Sequence, residues 1–509
     1  MSKVETVIRL LERGRGTAIA IAAPGRQPAT YDDLRRHTAN TVTTLNRLGI
    51  GRNDPVAIVL PNGPEMASAF VAIAAGATTA PLNPVYRAEE FEFYLSDLQA
   101  TLLIVAAGSE SPARTAARKL GVAVAELHAG DKAGLFDLVG EAVSAAPRSE
   151  GVAQPDDIAL VLHTSGTTSR PKIVPLSHRN ICASARNIAE SLALTPEDCC
   201  LNIMPLFHIH GLMAAVLSTL GSGASVCCTP GFNALKFFAW MKEARPTWYT
   251  AVPTMHQAIL DRAPRNLEVI KSGRLRLVRS SSASLAPQVM QALEETFNAP
   301  VIEAYGMTEA AHQMASNPLP PLERKPGSVG VAAGPEVAIM DEAGQLLPAA
   351  SVGEVVIRGA NVTSGYQSNP EANATAFANG WFRTGDQGVI DEDGYLRLTG
   401  RLKEIINRGG EKISPREVDE VLIDHPAVVQ AVTFALPHAK LGEEVAAAIV
   451  LKEDVTVSES EIREFARRRL ADFKVPRKVV FLDEIPKGPT GKLQRIGLAE
   501  KLGLTGDVK

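Results

Sequence analysis

Short apolar runs alternate with alanine-rich helical stretches through the first 150 residues of this chain. Residues 55–60 (PVAIVL) and 101–106 (TLLIVA) are typical of buried strands, and residues 65–75 between them are typical of a helix. Regular alternation of this kind favours parallel sheets that are covered by helices. The chain has 509 residues, which is more than one hydrophobic core usually organises, so we expect two or three domains.

The same alternation returns after a polar stretch at residues 148–157. Further strands are predicted at residues 158–163, 248–252, 275–279 and 301–304. Between about residues 337 and 400, glycine, aspartate and alternating β-branched residues predict short antiparallel strands with tight turns. The last segment has helix patterns at 415–422 and 460–470 and strand patterns at 428–434 and 446–451.

These patterns predict the α/β class with two domains. Residues 1–400 would form a large N-terminal domain of parallel and mixed sheets flanked by helices, together with a small β-barrel-like part. Residues 401–509 would form a small α+β C-terminal domain, because the pattern of short antiparallel strands ends near residue 400 and mixed helix and strand patterns follow.

Charge and cysteine usage narrow the class of protein. The formal net charge of −4, with 21% charged residues, argues against a nucleic-acid partner. The five cysteines include two adjacent pairs and no CxxC motif, which argues against a disulfide framework or a zinc site. Residues 1–14 carry charges instead of an apolar signal core, and the apolar residues 66–81 fit a buried helix better than a membrane span. A cytoplasmic protein without a membrane span is predicted.

A loop rich in hydroxyl groups follows the predicted strand at residues 158–163. Residues 164–172 (TSGTTSRPK) contain five hydroxyl residues, one glycine and two cations. Hydroxyl groups and loop amides donate hydrogen bonds, Gly166 permits close approach to the backbone, and Lys172 supplies charge, so the loop suits a polyphosphate. From these residues alone, a solvated Ser/Thr loop is the alternative. The loop does not match the GxxxxGK[ST] sequence of P-loop hydrolases.

The segment TSGTTSRPK resembles the signature of the adenylate-forming superfamily, which includes acyl-CoA synthetases, nonribosomal adenylation domains and firefly luciferase. The family usually has glycine where this chain has Ser169 and Ile173, so we expect a stiffer loop. The resemblance implies an enzyme that uses ATP and Mg²⁺ to form an acyl-adenylate and then transfers the acyl group to coenzyme A. It also implies that the ATP-contacting residues of the loop are Thr164, Ser165, Gly166, Thr167, Thr168 and Lys172, with Thr168 also a magnesium ligand.

Further motifs follow in the order of the family and extend the resemblance over nearly the whole chain. In residues 305–309 (YGMTE), the resemblance implies that Tyr305 stacks near adenine, that Thr308 meets the α-phosphate and that Glu309 helps to hold magnesium. A carboxylate suits a hard cation that bridges phosphates. Taken alone, this short motif is explained better by a structural turn.

Motifs on both sides of residue 400 imply the ribose site and a moving domain. Asp386, in WFRTGD, matches the family aspartate that accepts from both ribose hydroxyls, and Arg401 also reaches the ribose. Lys403 matches the hinge about which the small C-terminal domain turns, which would make that domain mobile. Gly409 and Gly410 match the loop that lines the pantetheine channel, where glycines let a thin chain pass close to the backbone.

The motif PTGK at residues 489–492 implies the catalytic cation. Lys492 matches the family lysine that binds the attacking carboxylate and the α-phosphate, and it would stabilise the developing charge together with Thr308 and magnesium. After adenylation the small domain would rotate and withdraw Lys492. The CoA thiolate would then displace AMP.

The acid is expected near residues 201–211 and 280–312. Four polar residues are candidates for contact with it: His208, Ser282, Ser284 and His312. They predict a polar pocket, whereas a long-chain fatty acid needs an apolar tunnel. The His-x-His pair at 208 and 210 has none of the further ligands that a zinc site needs nearby.

The segments HTSGTTSRPK, PLFHIHGL, TWYTAVPT, SASLAP, SNPLP and NRGGEKISP resemble most closely the oxalate–CoA ligases of the superfamily, so oxalate is the favoured acid. Malonate, an aryl acid or a medium-chain fatty acid would keep the same reaction. An adenylation module that loads a carrier protein is a further alternative, which the lack of an appended carrier domain disfavours. A P-loop hydrolase is disfavoured because its signature is missing from the sequence.

Overall fold

A computed structural model describes residues 5–143, 147, 149–164, 171–486 and 495–504. The chain divides by its internal contacts into two compact units. The first comprises Met1–Thr164, Lys172–Val337 and Ile357–Phe382, and the second comprises Ser165–Pro171, Ala338–Val356 and Arg383–Lys509. The sequence predicts a different kind of boundary, at residue 400, between a large N-terminal domain and a C-terminal domain that rotates. That boundary stays a prediction.

One sheet of the first unit has seven strands. Their order is Phe136–Gly140, Ala123–Ala129, Leu102–Ala106, Pro55–Val59, Thr78–Pro81, Ile158–His163 and Ile173–Ser177. The five inner strands are parallel and the two edge strands are antiparallel to their neighbours. Residues such as Leu103 and Val105 are fully buried, because helices cover a parallel sheet and its strands are therefore almost continuously apolar.

The other sheet of the first unit has nine strands. Their order is Val331–Ala332, His312–Ser316, Val301–Met307, Leu277–Ser281, Trp248–Ala251, Cys199–Asn202, Ser225–Cys228, Ile19–Ala22 and Ala29–Thr30. The six strands from Val301–Met307 to Ile19–Ala22 are parallel. Their carboxyl ends therefore meet at one edge, which is where open α/β sheets bind ligands.

Helices cover both sheets. Those of eight or more residues are Tyr31–Arg47, Pro64–Ala74, Ala88–Asp97, Pro112–Leu120, His178–Ser191, Phe237–Ala244, Pro253–Leu260 and Pro287–Phe297, with a π-helix at His210–Leu217. Shorter helices lie at Val7–Leu11, Ser218–Gly221, Leu267–Ser272 and Pro370–Ala376, and 3₁₀ turns lie at Ala263–Arg265 and Thr308–Ala310. Ser177 begins the helix His178–Ser191, because its hydroxyl accepts from the backbone N–H of Asn180 at 3.3 Å in a capping box.

A separate five-stranded sheet follows along the chain. Its strands are Glu336–Met340, Val352–Arg358, Trp381–Ile390 and Phe377–Ala378 in that order, with Leu396–Arg401 paired to Trp381–Ile390. These are the short strands that the alternating residues predict, and tight turns join them. Gly394 adopts a φ of +85° in the turn before Leu396–Arg401, a conformation that glycine reaches without strain.

The C-terminal part of the second unit is an α+β unit with its own core. Its sheet has the order Glu411–Ile413, Ile406–Arg408, Gly442–Leu451 and Val428–His438, with Lys478–Phe481 parallel to Gly442–Leu451. Its helices are Pro415–Ile423, Glu459–Arg467 and Leu498–Lys501, with a 3₁₀ turn at Asp472–Lys474. Val418, Ile449 and Ile462 are fully buried between sheet and helices. The predicted α/β class, with a large N-terminal part and a smaller C-terminal part, is confirmed.

One local feature differs from the sequence-based expectation. The apolar residues 66–81 belong to the helix Pro64–Ala74 and then to the strand Thr78–Pro81, because a buried turn at residues 75–77 ends the helix although the run stays apolar. The loop at 164–172 joins two antiparallel strands, and the helix begins only after the second of them. In the part of the chain that the structure describes, no helix is long and apolar enough to cross a membrane. All five cysteines are free and buried.

Candidate active site

The loop at residues 164–172 is closed at its base by two hydrogen bonds. The backbone N–H of Thr164 donates to the carbonyl oxygen of Lys172 at 2.9 Å, and the N–H of Lys172 donates to the Thr164 hydroxyl at 3.2 Å. These bonds continue the pairing of the flanking strands and hold the two ends of the loop together. The other predicted loop residues, Ser165, Gly166, Thr167 and Thr168, lie outside the described residues.

Tyr366 links two of the predicted ATP-site residues. The ammonium group of Lys172 lies 4.4 Å from the centre of the Tyr366 ring, and the Tyr366 hydroxyl donates to Glu309 Oε1 at 2.9 Å. Burial raises the pKa of Tyr366, and the Glu309 carboxylate raises it further, so the phenol stays protonated and acts as the donor. Tyr366 was not predicted, because it lies far along the chain from both partners.

Tyr305 and Thr308 lie where the strand Val301–Met307 runs into a 3₁₀ turn. Tyr305 is buried and Thr308 is half-buried. Gly306 is required between them, because a Cβ atom at that position would collide with the carbonyl oxygen of His312. The chain thus folds back on itself directly after the YGMTE motif, which brings His312 beside the end of the strand.

The residues present fit a magnesium site that is completed by substrate. Glu309 is 6% exposed and one of its carboxylate oxygens accepts from Tyr366. Within the described ranges no group of three or more His, Cys, Asp or Glu residues could hold a metal ion. Mg²⁺ is usually bound by one or two carboxylates together with substrate phosphates, and Glu309 is the described carboxylate that would hold it.

His210 is the centre of the candidate acid pocket. Its Nδ1 lies 2.9 Å from the Ser282 hydroxyl, and its Nε2 lies 2.6 Å from the Thr250 hydroxyl. The His312 ring stacks on the His210 ring with centroids 4.8 Å apart and an angle of 21°. We call these residues, His210, Thr250, Ser282 and His312, the histidine cluster. It lies at the carboxyl ends of parallel strands of the nine-stranded sheet.

Two of the four predicted acid-pocket residues belong to the histidine cluster and two do not. Ser282 and His312 belong to it. His208 is half-buried with its ring against Phe207, the centroids 4.3 Å apart. Ser284 is exposed, and in the described part of the chain it makes no hydrogen bond to the histidine cluster. His210 was not predicted, although it is the second histidine of the His-x-His pair.

The backbone has positive φ at two residues of the histidine cluster. Ser282 has a φ of +75° and His312 a φ of +98°, both in the region that favours glycine. Each such residue costs about 1–3 kcal/mol, and such strain is concentrated at functional sites. The strain is therefore evidence that the positions of these two side chains matter.

Arg279 lies behind the histidine cluster and was not predicted either. One guanidinium nitrogen lies 3.4 Å from both His210 Nε2 and the Thr250 hydroxyl, and the other donates to Gln313 Oε1 at 3.1 Å. The side chain is fully buried. A cation inside the fully buried strand Leu277–Ser281 is unusual, and an arginine within a predicted strand is the signal in the sequence that could have identified it.

In the second unit the predicted ribose-binding residues are paired. Asp386 and Arg401 are direct partners on antiparallel strands, with Arg401 Nε 3.3 Å from Asp386 Oδ1. The side chain of Asp386 is 12% exposed and that of Arg401 is 58% exposed. The arginine thus orients a carboxylate while remaining open to solvent itself.

The predicted hinge and channel residues are exposed. Lys403 lies in the turn directly after Leu396–Arg401. Gly409 and Gly410 form the two-residue turn between Ile406–Arg408 and Glu411–Ile413, with φ values of +59° and +97°. Positive φ at both positions is what a tight hairpin of this type needs, so glycine is favoured there.

Lys492 lies outside the described residues, but the chain is anchored just after it. Arg495 donates to Glu404 Oε2 at 3.1 Å and to Asp419 Oδ2 at 2.8 Å, and also to the carbonyl oxygen of Thr433. Although burial disfavours the charged guanidinium, the Asp419 and Glu404 carboxylates hold the pKa of Arg495 above its ordinary value. Arg495, the first described residue after Lys492, is therefore held by ionic contacts within the second unit.

Comparison with known proteins gives the family of this chain. The AMP-binding enzyme family matches residues 12–367, and the AMP-binding enzyme C-terminal domain matches residues 417–492. An oxalate–CoA ligase of Arabidopsis thaliana is 50% identical over 479 residues, which cover 92% of this chain and 91% of that protein. An oxalate–CoA ligase of Saccharomyces cerevisiae is 43% identical over 503 residues, which cover 92% of each protein. The crystal structure of ATP-bound MatB from Rhodopseudomonas palustris is 30% identical with a TM-score of 0.89, over 99% of this chain and 100% of that chain.

Proposed function

This chain belongs to the AMP-binding enzyme family, and we propose that it works there as an ATP-dependent oxalate–CoA ligase. The adenylate-forming superfamily that the motifs predict is thereby confirmed. The proposed reaction converts oxalate, ATP and CoA into oxalyl-CoA, AMP and pyrophosphate. The structural observation that carries the choice of acid is the histidine cluster, whose polar groups meet at the ligand-binding edge of the sheet.

In the first step, one oxalate oxygen attacks the α-phosphorus of ATP and the bond to pyrophosphate breaks. Negative charge grows on the phosphate oxygens, and we assign its stabilisation to Lys492, Thr308 and the loop residues Thr164 to Thr168. Glu309 and Thr168 would hold the magnesium ion. Bound Mg²⁺ would neutralise phosphate charge.

The remaining nucleotide contacts follow from the pairs described above. Tyr305 would lie against adenine, and Lys172 would face phosphate from the base of the loop. Asp386 would accept from both ribose hydroxyls, with Arg401 holding its carboxylate in place.

In the second step, the CoA thiolate attacks the activated carbonyl carbon, and the bond to the AMP oxygen breaks. We assign the hinge for the change between the two steps to Lys403, with residues 401–509 as the moving domain and residues 1–400 as the ATP- and acid-binding domain. The Gly409–Gly410 turn would line the path of the pantetheine chain. A cytoplasmic location belongs to the same proposal.

Oxalate suits the histidine cluster for an electrostatic reason. One carboxylate reacts while the other stays charged inside the pocket, and burying an unpaired charge costs several kcal/mol. Ser282 and His312 are the groups best placed to bind it, with His208 and Ser284 towards the rim. A fatty acid would leave these polar groups unpaired, which is how a polar site rejects an apolar ligand.

A panel of acids tests the proposal. Oxalate, malonate, octanoate and cinnamate are compared by kcat/KM for CoA-dependent release of AMP and pyrophosphate, and we expect oxalate to be highest. If octanoate or cinnamate gives the highest value, the proposed acid is wrong although CoA ligation stands. Replacing CoA with a phosphopantetheinylated carrier protein tests the alternative of a carrier-loading module, which requires acyl transfer to the carrier and not to CoA.

A further inference from the structure

Arg279 places a positive charge against the histidine cluster from inside the protein. Its side chain is fully buried in the strand Leu277–Ser281. Burial lowers the pKa of Arg279 to about 9, so the guanidinium remains charged near pH 7. Because no part of the side chain is exposed, Arg279 acts on a ligand only through its neighbours.

The neighbours of Arg279 do not neutralise this charge. Its hydrogen-bond partners in the described ranges are His210, Thr250 and Gln313, and none of them is a carboxylate. Burial raises the pKa of the nearby Cys200 thiol well above its usual value, so this group is neutral too. A buried cation without a counter-charge is unfavourable, and an anion that binds close by relieves the cost.

Arg279 also fixes the direction of a chain of hydrogen bonds. A guanidinium has only donors, and one nitrogen of Arg279 lies 3.4 Å from both Thr250 Oγ1 and His210 Nε2, so a ring proton on Nε2 would face the cation. We infer that Arg279 donates to Thr250 Oγ1 and that the Thr250 hydroxyl donates to the Nε2 lone pair at 2.6 Å. In this tautomer the ring proton lies on Nδ1, which donates to Ser282 Oγ at 2.9 Å. Ser282 is thereby used as an acceptor on one side, and its own O–H is left to donate to a ligand.

We propose that Arg279 is the positioning residue that makes the pocket selective for a small dianionic acid. Its charge and the directed chain through Thr250 and His210 set Ser282 as a donor to the carboxylate that does not react. This inference rests on the proposed function, since it concerns the second carboxylate of oxalate. It also gives a reason for the φ of +75° at Ser282. Glycine would adopt this backbone conformation with less strain, but only a residue such as serine supplies the hydroxyl.

The test compares oxalate with oxamate, in which an uncharged amide replaces one carboxylate at nearly the same size. Acid-dependent ATP–pyrophosphate exchange gives kcat/KM for each acid in the wild-type protein and in Arg279→Gln. We expect the preference for oxalate over oxamate to fall about 30-fold or more in the variant, as when one partner of a buried charged contact is removed. The KM for ATP should stay within about twofold.

Arg276→Gln is the matched control. Arg276 lies three residues earlier, and its guanidinium binds the buried Asp198 carboxylate at 2.7 and 2.8 Å, outside the histidine cluster. This variant should lose thermal stability and keep the wild-type preference for oxalate. A wild-type protein that does not favour oxalate over other acids would refute the proposed function. A wild-type protein that favours oxalate, with the same preference in Arg279→Gln, would refute only the role of Arg279.

A spectroscopic measurement on the wild-type protein covers the case in which Arg279→Gln does not fold. Nitrogen-15 NMR of histidine-labelled protein reports which ring nitrogen of His210 carries the proton, with the signal assigned by its loss in His210→Gln. We expect a neutral ring that is protonated at Nδ1. A ring protonated at Nε2, or at both nitrogens, would overturn the directed chain and with it the proposal.

Discussion

The rings of His210 and His312 stack with their centroids 4.8 Å apart, although 102 positions separate the two residues in the chain. Two backbone features bring them together. His210 begins a π-helix after the strand Cys199–Asn202, and His312 follows a chain reversal after the strand Val301–Met307. The contact therefore depends on how the chain continues after each of these two strands, and it gives the first prediction.

His312→Ala should lower kcat/KM for oxalate by roughly 10-fold or more, at about 1.4 kcal/mol for each factor of ten. The variant loses a polar ring and leaves His210 without its stacking partner. Steady-state kinetics with oxalate and ATP measure the effect, and the KM for ATP serves as the check on folding. An unchanged kcat/KM for oxalate would remove His312 from the acid site.

Lys492→Ala should separate the two half-reactions. Adenylate formation should fall on the order of 10²-fold or more, because one charge-stabilising donor is lost from the first step. Formation of the thioester from preformed oxalyl-AMP should be largely retained. The two steps are measured separately, as pyrophosphate release and as CoA consumption, and equal losses in both would contradict the assigned role.

Arg495→Met should weaken the C-terminal part of the second unit. It removes the partner of the buried Asp419 carboxylate, and breaking a buried ion pair costs about 3–5 kcal/mol. Adenylation should also fall, because Arg495 anchors the segment that follows Lys492. Denaturant unfolding and pyrophosphate release give the two readouts.

Arg467→Met is the control for that variant. Arg467 forms an ion pair with Glu464 in which both side chains are about half exposed, and such surface pairs contribute about 0–1 kcal/mol. If both variants have the same stability and activity, the anchoring role of Arg495 is wrong.

The structure also predicts a dependence of stability on pH. His178 accepts from the Val7 N–H at 3.3 Å and contacts the Ala74 carbonyl oxygen through Nε2 at 3.0 Å, so both ring nitrogens are used in the neutral form. Burial lowers the pKa of His178 to about 4. Below about pH 6.5 the unfolded chain binds a proton at this residue that the folded protein does not bind, so stability falls as the pH drops towards 4.

The size of this effect is up to about 1.4 kcal/mol for each pH unit below 6.5. Unfolding free energies between pH 7.5 and 4.5 measure it in the wild-type protein and in His178→Gln, which cannot titrate. The variant should be less stable at pH 7.5 and should lose less stability on acidification. Identical slopes for the two proteins would show that His178 does not titrate in this range.

Strands and helices could be predicted where a single pattern of apolar residues extends over the whole helix or strand and ends with it. The strands at Pro55–Val59 and Ile158–His163 are such cases, because burial on both faces makes every position apolar. The helix predicted at residues 65–75 agrees with Pro64–Ala74 to within one residue at each end, but the strand Thr78–Pro81 was not predicted, since it continues the same buried, apolar run.

The candidate site could be predicted where motifs are contiguous in the sequence. Tyr305, Thr308 and Glu309 come from one motif. His210, and not His208, joins the histidine cluster because a π-helix begins at His210, and no local pattern in the sequence reveals this. Tyr366 reaches Glu309 across 57 positions, so only the folded chain shows that contact.

The central claim is that the reaction passes through an acyl-adenylate, and the fate of one oxalate oxygen atom tests it most directly. Oxalate labelled with oxygen-18 is incubated with the enzyme, ATP and CoA, and the products are analysed by mass spectrometry. If an acyl-adenylate forms and CoA then attacks its carbonyl carbon, one labelled oxygen per turnover must appear in AMP. Label in pyrophosphate or in inorganic phosphate, or formation of ADP instead of AMP, would contradict the account.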